Sequence, residues 1–240
     1  MTRYGQFCPV AKASEVLAER WTPLVLRELL CGSHRFSDLC RGVPLMSRSL
    51  LAKRLKELER AGVVDRRRAP GRDTAEYYLT PAGEELRPWI EGLGVWGQRW
   101  ILFDVDENDL DPSLLMWDIR RGLASDALPD RRTVVRIDFV DVTGPRRRWW
   151  LIVGDGSTDL CMTDPGFDVD LSVQATLRSL TRYWLGQLEW RALLAGGLEL
   201  SGPRWAQRAF PRWLGRSAFA EVPRPRSRPS RARAGANSLP

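Results

Sequence analysis

Ser47, Arg48, Ser49, Lys53 and Arg54 crowd one short stretch of the chain, and Arg66, Arg67, Arg68 and Arg72 crowd another soon after it. Guanidinium groups offer forked N–H donors that fit phosphate oxygens or the O6/N7 edge of guanine, and serine hydroxyls serve bases or phosphates. Donors in the first turn of a helix work beside backbone N–H groups that already favour anions. Ser47 reads as a helix cap, which places Arg48 and Ser49 in the first turn and Lys53 and Arg54 further along. Arg35 with Ser37, and Thr22, stand at two other predicted helix starts. This is the chemistry of gripping a polyanion, not of breaking a bond.

Groups for bond-breaking are missing from the pattern. The one histidine, His34, excludes a His-rich metal site and would be the sole base of any His-dependent triad. Cys31, His34 and Cys40 lack a fourth ligand at zinc spacing, so no metal is expected. Cys31, Cys40 and Cys161 read as core residues. Residues 104–222 hold no nucleophile–base pair and no Gly-rich phosphate loop, and Asp164, Asp168 and Asp170 read as turn and cap residues. No catalytic residue and no cofactor is predicted.

The elements that must position the basic residues are visible in the periodicity. Residues 9–20 predict a helix with Val10, Ala13, Val16 and Leu17 on one face. Thr22 as cap and Pro23 as first residue open a second helix that stops at Gly32. A short third helix covers Phe36–Arg41, Gly42–Leu45 turns, and the helix from Ser47 runs to about Ala61 with Leu50, Leu51, Leu55 and Leu58 on one stripe. Val63–Arg68 and Glu76–Leu79 flank Pro70-Gly71 and predict a β-hairpin. From Thr80-Pro81 a helix runs to about Trp100, with Leu86, Trp89, Ile90, Leu93, Trp96 and Trp100 at 3/4 spacing, too aromatic for a free surface. Beyond it, residues 114–123 predict a helix, and Thr133–Val142, Arg148–Val153 and the segment at Leu160 predict strands. Leu171–Ala195 predicts one or two helices, Leu198–Leu200 a short apolar segment, and Pro203–Trp213 a last helix.

The net charge of +7 is unevenly spread. Residues 1–103 have 17 basic and 12 acidic side chains, residues 104–222 have 15 and 18, and residues 223–240 have 5 arginines and no acid. The partition predicts a basic unit at 1–103, a second unit at 104–222 and a disordered basic tail at 223–240. An apolar fraction of 43% suffices for two cores. No apolar run approaches the ~20 residues of a membrane helix. No secretory leader is read at the N-terminus, and four cysteines make no disulfide scaffold, so a cytoplasmic location without membrane association is expected.

Helix, turn, capped helix and basic hairpin follow one another in the order of a winged helix-turn-helix. Cys8-Pro9-Val10-Ala11, Arg20-Trp21-Thr22, Leu26-Arg27-Glu28-Leu29, Arg35 through Leu39, Ser47 through Glu59, Ala61-Gly62-Val63-Val64, Tyr78 through Gly83 and Trp96-Gly97 resemble the HxlR family of bacterial winged-helix transcription regulators, over roughly residues 5–103. The resemblance implies a homodimer on a double-stranded DNA operator, paired through the first and last helices of this unit, with Val10, Leu17, Trp89, Leu93, Trp96 and Trp100 in the seam. It also makes Cys8 a candidate oxidant sensor, since it precedes Pro9 at a helix start where a thiolate is favoured, the alternative being a small apolar residue packed at the dimer seam. Arg48 stands where the family often has Pro or Ala, so operator sequence does not transfer.

The pattern Cys161-Met162-Thr163, Asp170-Leu171-Ser172, Leu177, Trp184-Leu185-Gly186, Trp190, Gly197 through Gly202, Ala206 and Trp213-Leu214 is similar to the C-terminal half of sterol-carrier-protein-like domains. That likeness implies an apolar cavity, for which Trp117, Trp149, Trp184 and Trp190 are candidate walls, or equally a filled core. The expected fold class is thus mostly α plus α+β: an N-terminal winged helix-turn-helix and a C-terminal sterol-carrier-protein-like α+β domain. The expected function is sequence-specific DNA-binding regulation as a homodimer, controlled by a small apolar ligand or by Cys8. The alternative is a lipid- or small-molecule-binding protein, or an enzyme, whose winged helix is only an interaction module.

Overall fold

The computed structural model describes residues 3–68, 71, 74–101, 104–123, 131–154 and 157–225. Its buried hydrophobic side chains gather into two clusters. One is drawn from Val25 to Ile90 and the other from Leu115 to Leu214.

The first lobe begins with α1 (Pro9–Leu17), α2 (Thr22–Leu30), α3 (Phe36–Gly42) and α4 (Arg48–Arg60). Ser47 caps α4 by accepting from Leu50 N at 3.3 Å, and Leu51, Leu55 and Leu58 bury one stripe against Val25, Leu26 and Leu39. Gly62, at φ +73°, lets the chain leave α4 in the left-handed conformation that a side chain resists. The strands β1 (Val64–Arg68) and β2 (Ala75–Leu79) then pair antiparallel, Val64 opposite Leu79. The sequence read Thr80–Trp100 as one helix. The structure divides it into α5 (Pro81–Glu84) and α6 (Arg87–Trp100), because Pro88 has no N–H to continue the ladder onto Glu84. The first helix is also shorter than read, ending at Leu17 rather than residue 20.

In the second lobe, Asp111 caps α7 (Pro112–Gly122), accepting from Ser113 N and Leu114 N. Five strands follow: β3 (Thr133–Phe139), β4 (Arg148–Gly154), β5 (Ser157–Cys161), β6 (Leu171–Ala175) and β7 (Glu199–Ser201), ordered β5-β4-β3-β6-β7. The β3–β6 pair is parallel and the rest are antiparallel. Helices α8 (Leu177–Trp184), α9 (Trp190–Ala195) and α10 (Arg204–Leu214) complete the lobe. Leu171–Ala175, expected to be helical, is a strand. Leu171, Val173 and Ala175 alternate inward with period two, and Thr176 then caps α8 by accepting from Ser179 N.

The expected ligand-pocket tryptophans are packing residues. Trp149 and Trp184 are members of the second core, and Trp190 meets Tyr183 and Phe210 edge-on with centroids 5.5 and 6.1 Å away. Trp117 is buried between the lobes, its ring flanked by the guanidiniums of Arg41 and Arg120 at 5.4 and 4.8 Å. Cys31, read as core, is instead exposed at the end of α2. Asp164 does act in a turn, taking Gly166 N at 2.9 Å, whereas Asp170, read as a turn or cap residue, accepts across the sheet from Val134 N at 2.9 Å and Arg131 Nη2 at 2.8 Å. Helix α6 leans on the second lobe: Gln98 Nε2 donates to Leu185 O at 2.8 Å, and the Phe219 ring covers Gly94. No helix among the described residues is long and apolar enough to cross a membrane. The predicted tail lies outside the described residues from 226 onward.

Candidate nucleic-acid interface

The face of α4 opposite its leucine stripe is polar and exposed. It carries Arg48, Ser49 and Lys53, with Ser47 at its cap. Ser47 Oγ and Ser49 Oγ lie 3.2 Å apart, so the two hydroxyls form one polar point at the helix start. The Arg48 guanidinium sits 5.2 Å from the Phe36 ring centroid, which braces the side chain against α3 while the residue stays exposed. Lys53 Nζ is 3.9 Å from Oε1 of the half-buried Glu57, at the limit of an ion pair, and the lysine itself is exposed, so the ammonium remains available.

The hairpin adds a second basic surface. Arg66, Arg67 and Arg68 are all exposed on β1, and a cleft of about 380 Å³ is lined by them with Glu59, Thr74 and Ala75. The guanidinium of Arg67 lies 4.7 Å above the Tyr78 ring, and His34 stacks on Tyr78 with centroids 4.3 Å apart. His34 also places Nδ1 3.0 Å from Tyr77 O, a seam position between the hairpin and the start of α3. Arg35 joins the same seam through Glu76, Nε to Oε1 at 3.4 Å. The Tyr78 phenol hydrogen bond and the one from Arg35 hold the Glu76 carboxyl below the usual range. Ser37 is exposed on the first turn of α3. Arg72 lies outside the described residues.

Two expected contact residues face inward. Arg54 is only 8% exposed; it donates to Glu19 Oε2 at 2.8 Å, to Arg20 O at 3.3 Å and to Glu57. Its position on the leucine stripe, not its charge, decides its role. Thr22 is 1% exposed and does not cap α2. Trp21 occupies the cap position in a left-handed conformation, φ 77°, with the Arg20 guanidinium 5.4 Å from its ring.

The expected seam residues are largely open. Val10 is 72% and Trp96 56% exposed, and Trp89, Leu93 and Trp100 are exposed beside Trp96 on α6. Leu17 is the exception, half-buried against the first core. Cys8 is a free, half-buried thiol immediately before α1.

Sequence reasoning passed over Glu28 as anything but a motif letter. It sits fully buried on α2, among Val25, Leu26 and Leu29. The available signal was a carboxylate inside an apolar run. Burial alone would push its carboxyl up. The Arg121 hydrogen bond, the charges of Arg27 and Arg121 and the Trp117 indole outweigh that and hold it below the usual range.

A family model described as HxlR-like helix-turn-helix matches residues 16–104. The uncharacterized HTH-type transcriptional regulator YvaP of Bacillus subtilis (strain 168) is 38% identical over 113 residues, spanning 46% of this chain and 96% of the relative. The chain belongs to the HxlR-like helix-turn-helix family. This HxlR-like chain is also 34% identical over 98 residues to the uncharacterized HTH-type regulator sll1512 of Synechocystis sp., spanning 40% of the chain and 73% of that protein. It is 32% identical over 94 residues to the HTH-type transcriptional regulator YodB of Bacillus subtilis (38% and 84%). Among solved structures, the reduced form of YodB shares 29% identity over 40% of this chain and 97% of its own, with a TM-score of 0.36. The HxlR-like relatives are named transcriptional regulators, not enzymes. The family match ends at residue 104, so the second lobe is this chain's addition to the matched segment.

Proposed function

We propose that the chain is a homodimeric, sequence-specific DNA-binding transcription regulator. Residues 1–103 form its reading domain, 104–222 a sterol-carrier-protein-like lobe, and 223–240 a basic tail that adds sequence-blind affinity. The observation that carries the reading is the two-sided character of α4. Its leucine stripe is buried, while Ser47, Arg48, Ser49 and Lys53 stand exposed beside the arginines of β1. In this reading Arg48 chelates a guanine edge, and Arg35, Ser37, Arg67, Arg68 and Arg72 hold backbone phosphates. The exposed Trp89, Leu93, Trp96 and Trp100, with Val10, pair across the two-fold. The buried Trp149 and Trp184 favour a second lobe that supports assembly over one that encloses a ligand. Control by oxidation of Cys8 belongs to the same reading, since the thiol stands two residues before Val10 in the proposed seam.

The test is selection of duplexes from a random-sequence pool by the full-length protein, followed by titration of the selected duplex at several salt concentrations. The reading expects a preferred, pseudo-palindromic site and affinity that falls steeply with salt. A protein that enriches no sequence overturns it.

A further inference from the structure

The buried carboxylate of Glu28 is where the two lobes meet. Oε1 accepts from Arg27 Nε and Nη2 at 3.1 and 2.7 Å. Oε2 accepts from Ser33 Oγ at 3.1 Å, Trp117 Nε1 at 3.1 Å and Arg121 Nη1 at 2.8 Å. Two of these donors belong to α7 of the second lobe. A carboxylate without water must have its lone pairs filled by donors, and here the first lobe alone does not supply them all.

The same carboxylate fixes the helix-turn-helix corner. Arg27 Nη2 also donates to Gly42 O at 2.7 Å, the last residue of α3. Gly42 is there because a Cβ would fall 1.9 Å from the Glu28 carboxylate. From Gly42 the chain passes through buried Val43 and Met46, joined by Met46 N to Val43 O at 2.9 Å, and reaches the Ser47 cap of α4. On the far side, Arg120 Nε donates to Thr158 O at 2.7 Å, which ties α7 to strand β5. A contiguous set of contacts thus runs from the sheet of the second lobe to the start of the helix that carries Arg48.

We infer that Trp117 and Arg121 are positioning residues for DNA reading: through Glu28 they fix the α3–α4 corner and so the placement of Arg48 and Ser49. They touch no DNA themselves. The inference rests on the proposed DNA reading. It adds that the second lobe completes the reading head.

The experiment measures full-length wild type, Arg121→Met, Trp117→Phe and Glu28→Gln against two duplexes, one selected by the wild type from a random pool and one of random sequence. Each variant should weaken binding to the selected duplex about 5- to 150-fold, the range of a site-to-site coupling. Random-sequence binding should stay unchanged, and so should the slope of log affinity against log salt, because no phosphate contact is lost. The Glu28→Gln/Arg121→Met double variant should be little worse than either single one, since both break the same link. Stoichiometric titration fixes the active fraction, so a mere loss of folded protein does not mimic the effect. If Arg121→Met does not fold, Trp117→Phe decides, because it keeps an aromatic ring and removes the N–H. Wild-type affinity in these variants overturns the inference, as does equal loss on both duplexes or a slope reduced by about one. A wild type that selects no duplex overturns the DNA reading as well, and is distinguishable because no variant is needed to see it.

Discussion

Arg54 Nη2 lies 2.8 Å from Glu19 Oε2, so a basic residue of the helix that bears Arg48 points back into the protein. This ion pair ties α4 to the segment that follows α1, and Glu57 completes it from within α4. Arg54→Ala should therefore cost stability rather than a phosphate contact. About 2–3 kcal/mol is expected, less than a fully buried pair because Glu19 is partly solvated. Urea unfolding reads the loss, and the salt slope of DNA binding should stay at the wild-type value.

Arg48 and Arg67 should fail differently. Arg48→Ala should lose about 1–3 kcal/mol of discrimination at one base position, seen when the selected site is mutated pair by pair. Arg67→Ala should weaken all duplexes alike and reduce the salt slope by about one. An Arg48→Ala protein with unaltered sequence preference would remove Arg48 from base reading.

The seam can be tested at Trp96 and at a glycine between its aromatic neighbours. Trp96→Glu should yield monomers in sedimentation and lower operator affinity. A methyl group added at Gly97 would meet only open space within one protomer. In a lone helix Gly97→Ala should stabilise by about 0.5–1 kcal/mol, whereas a close-packed partner helix turns the gain into a loss of dimer affinity. Analytical ultracentrifugation over a concentration series separates the two.

Cys8→Ser should bind the selected duplex like the wild type under reducing conditions and keep it in diamide, where the wild type lets go. Equal release by both proteins would take Cys8 out of the control mechanism.

Acid should weaken the Glu28 link in a calculable direction. The folded carboxyl is held below its ordinary value of about 4.3, so its contribution is complete above that value and declines as the pH falls through the lower, folded one. The stability gap between wild type and Glu28→Gln should be flat from pH 7 to about 5 and narrow below about pH 4.3. Nearby Asp118, whose carboxyl burial pushes up, titrates in both proteins and largely cancels in the difference. A gap that widens on acidification would contradict the assignment.

The reading head was legible because its signals are local. A serine before Arg48, leucines at helical spacing and a Pro-Gly turn between β runs each act within a few residues, and the structure keeps the cap, the stripe and the hairpin. The inward face of Arg54 was legible in its spacing, three residues after Leu51 and four before Leu58, but its charge drew it to the DNA side, and its partner Glu19, 35 positions away, was not legible. The role of Glu28 depends on Arg121, 93 positions away, a distance at which spacing says nothing. Leu171–Ala175 was misread for the opposite reason. Its alternation spans five residues and runs into the stronger helical stripe of Leu177, Leu180 and Trp184.

The Gln98–Leu185 hydrogen bond and the Phe219 ring over Gly94 lie on a different helix from the Glu28 link. Among the described residues the halves of the chain are therefore stitched at two seams in addition to their covalent connection. A protein cut once at a cleavage site engineered between Ile101 and Asp104 should give two fragments that elute together. Grafting the second half onto another helix-turn-helix protein would succeed only where the host supplies a glutamate, a small residue opposite it and a glutamine at these same two seams.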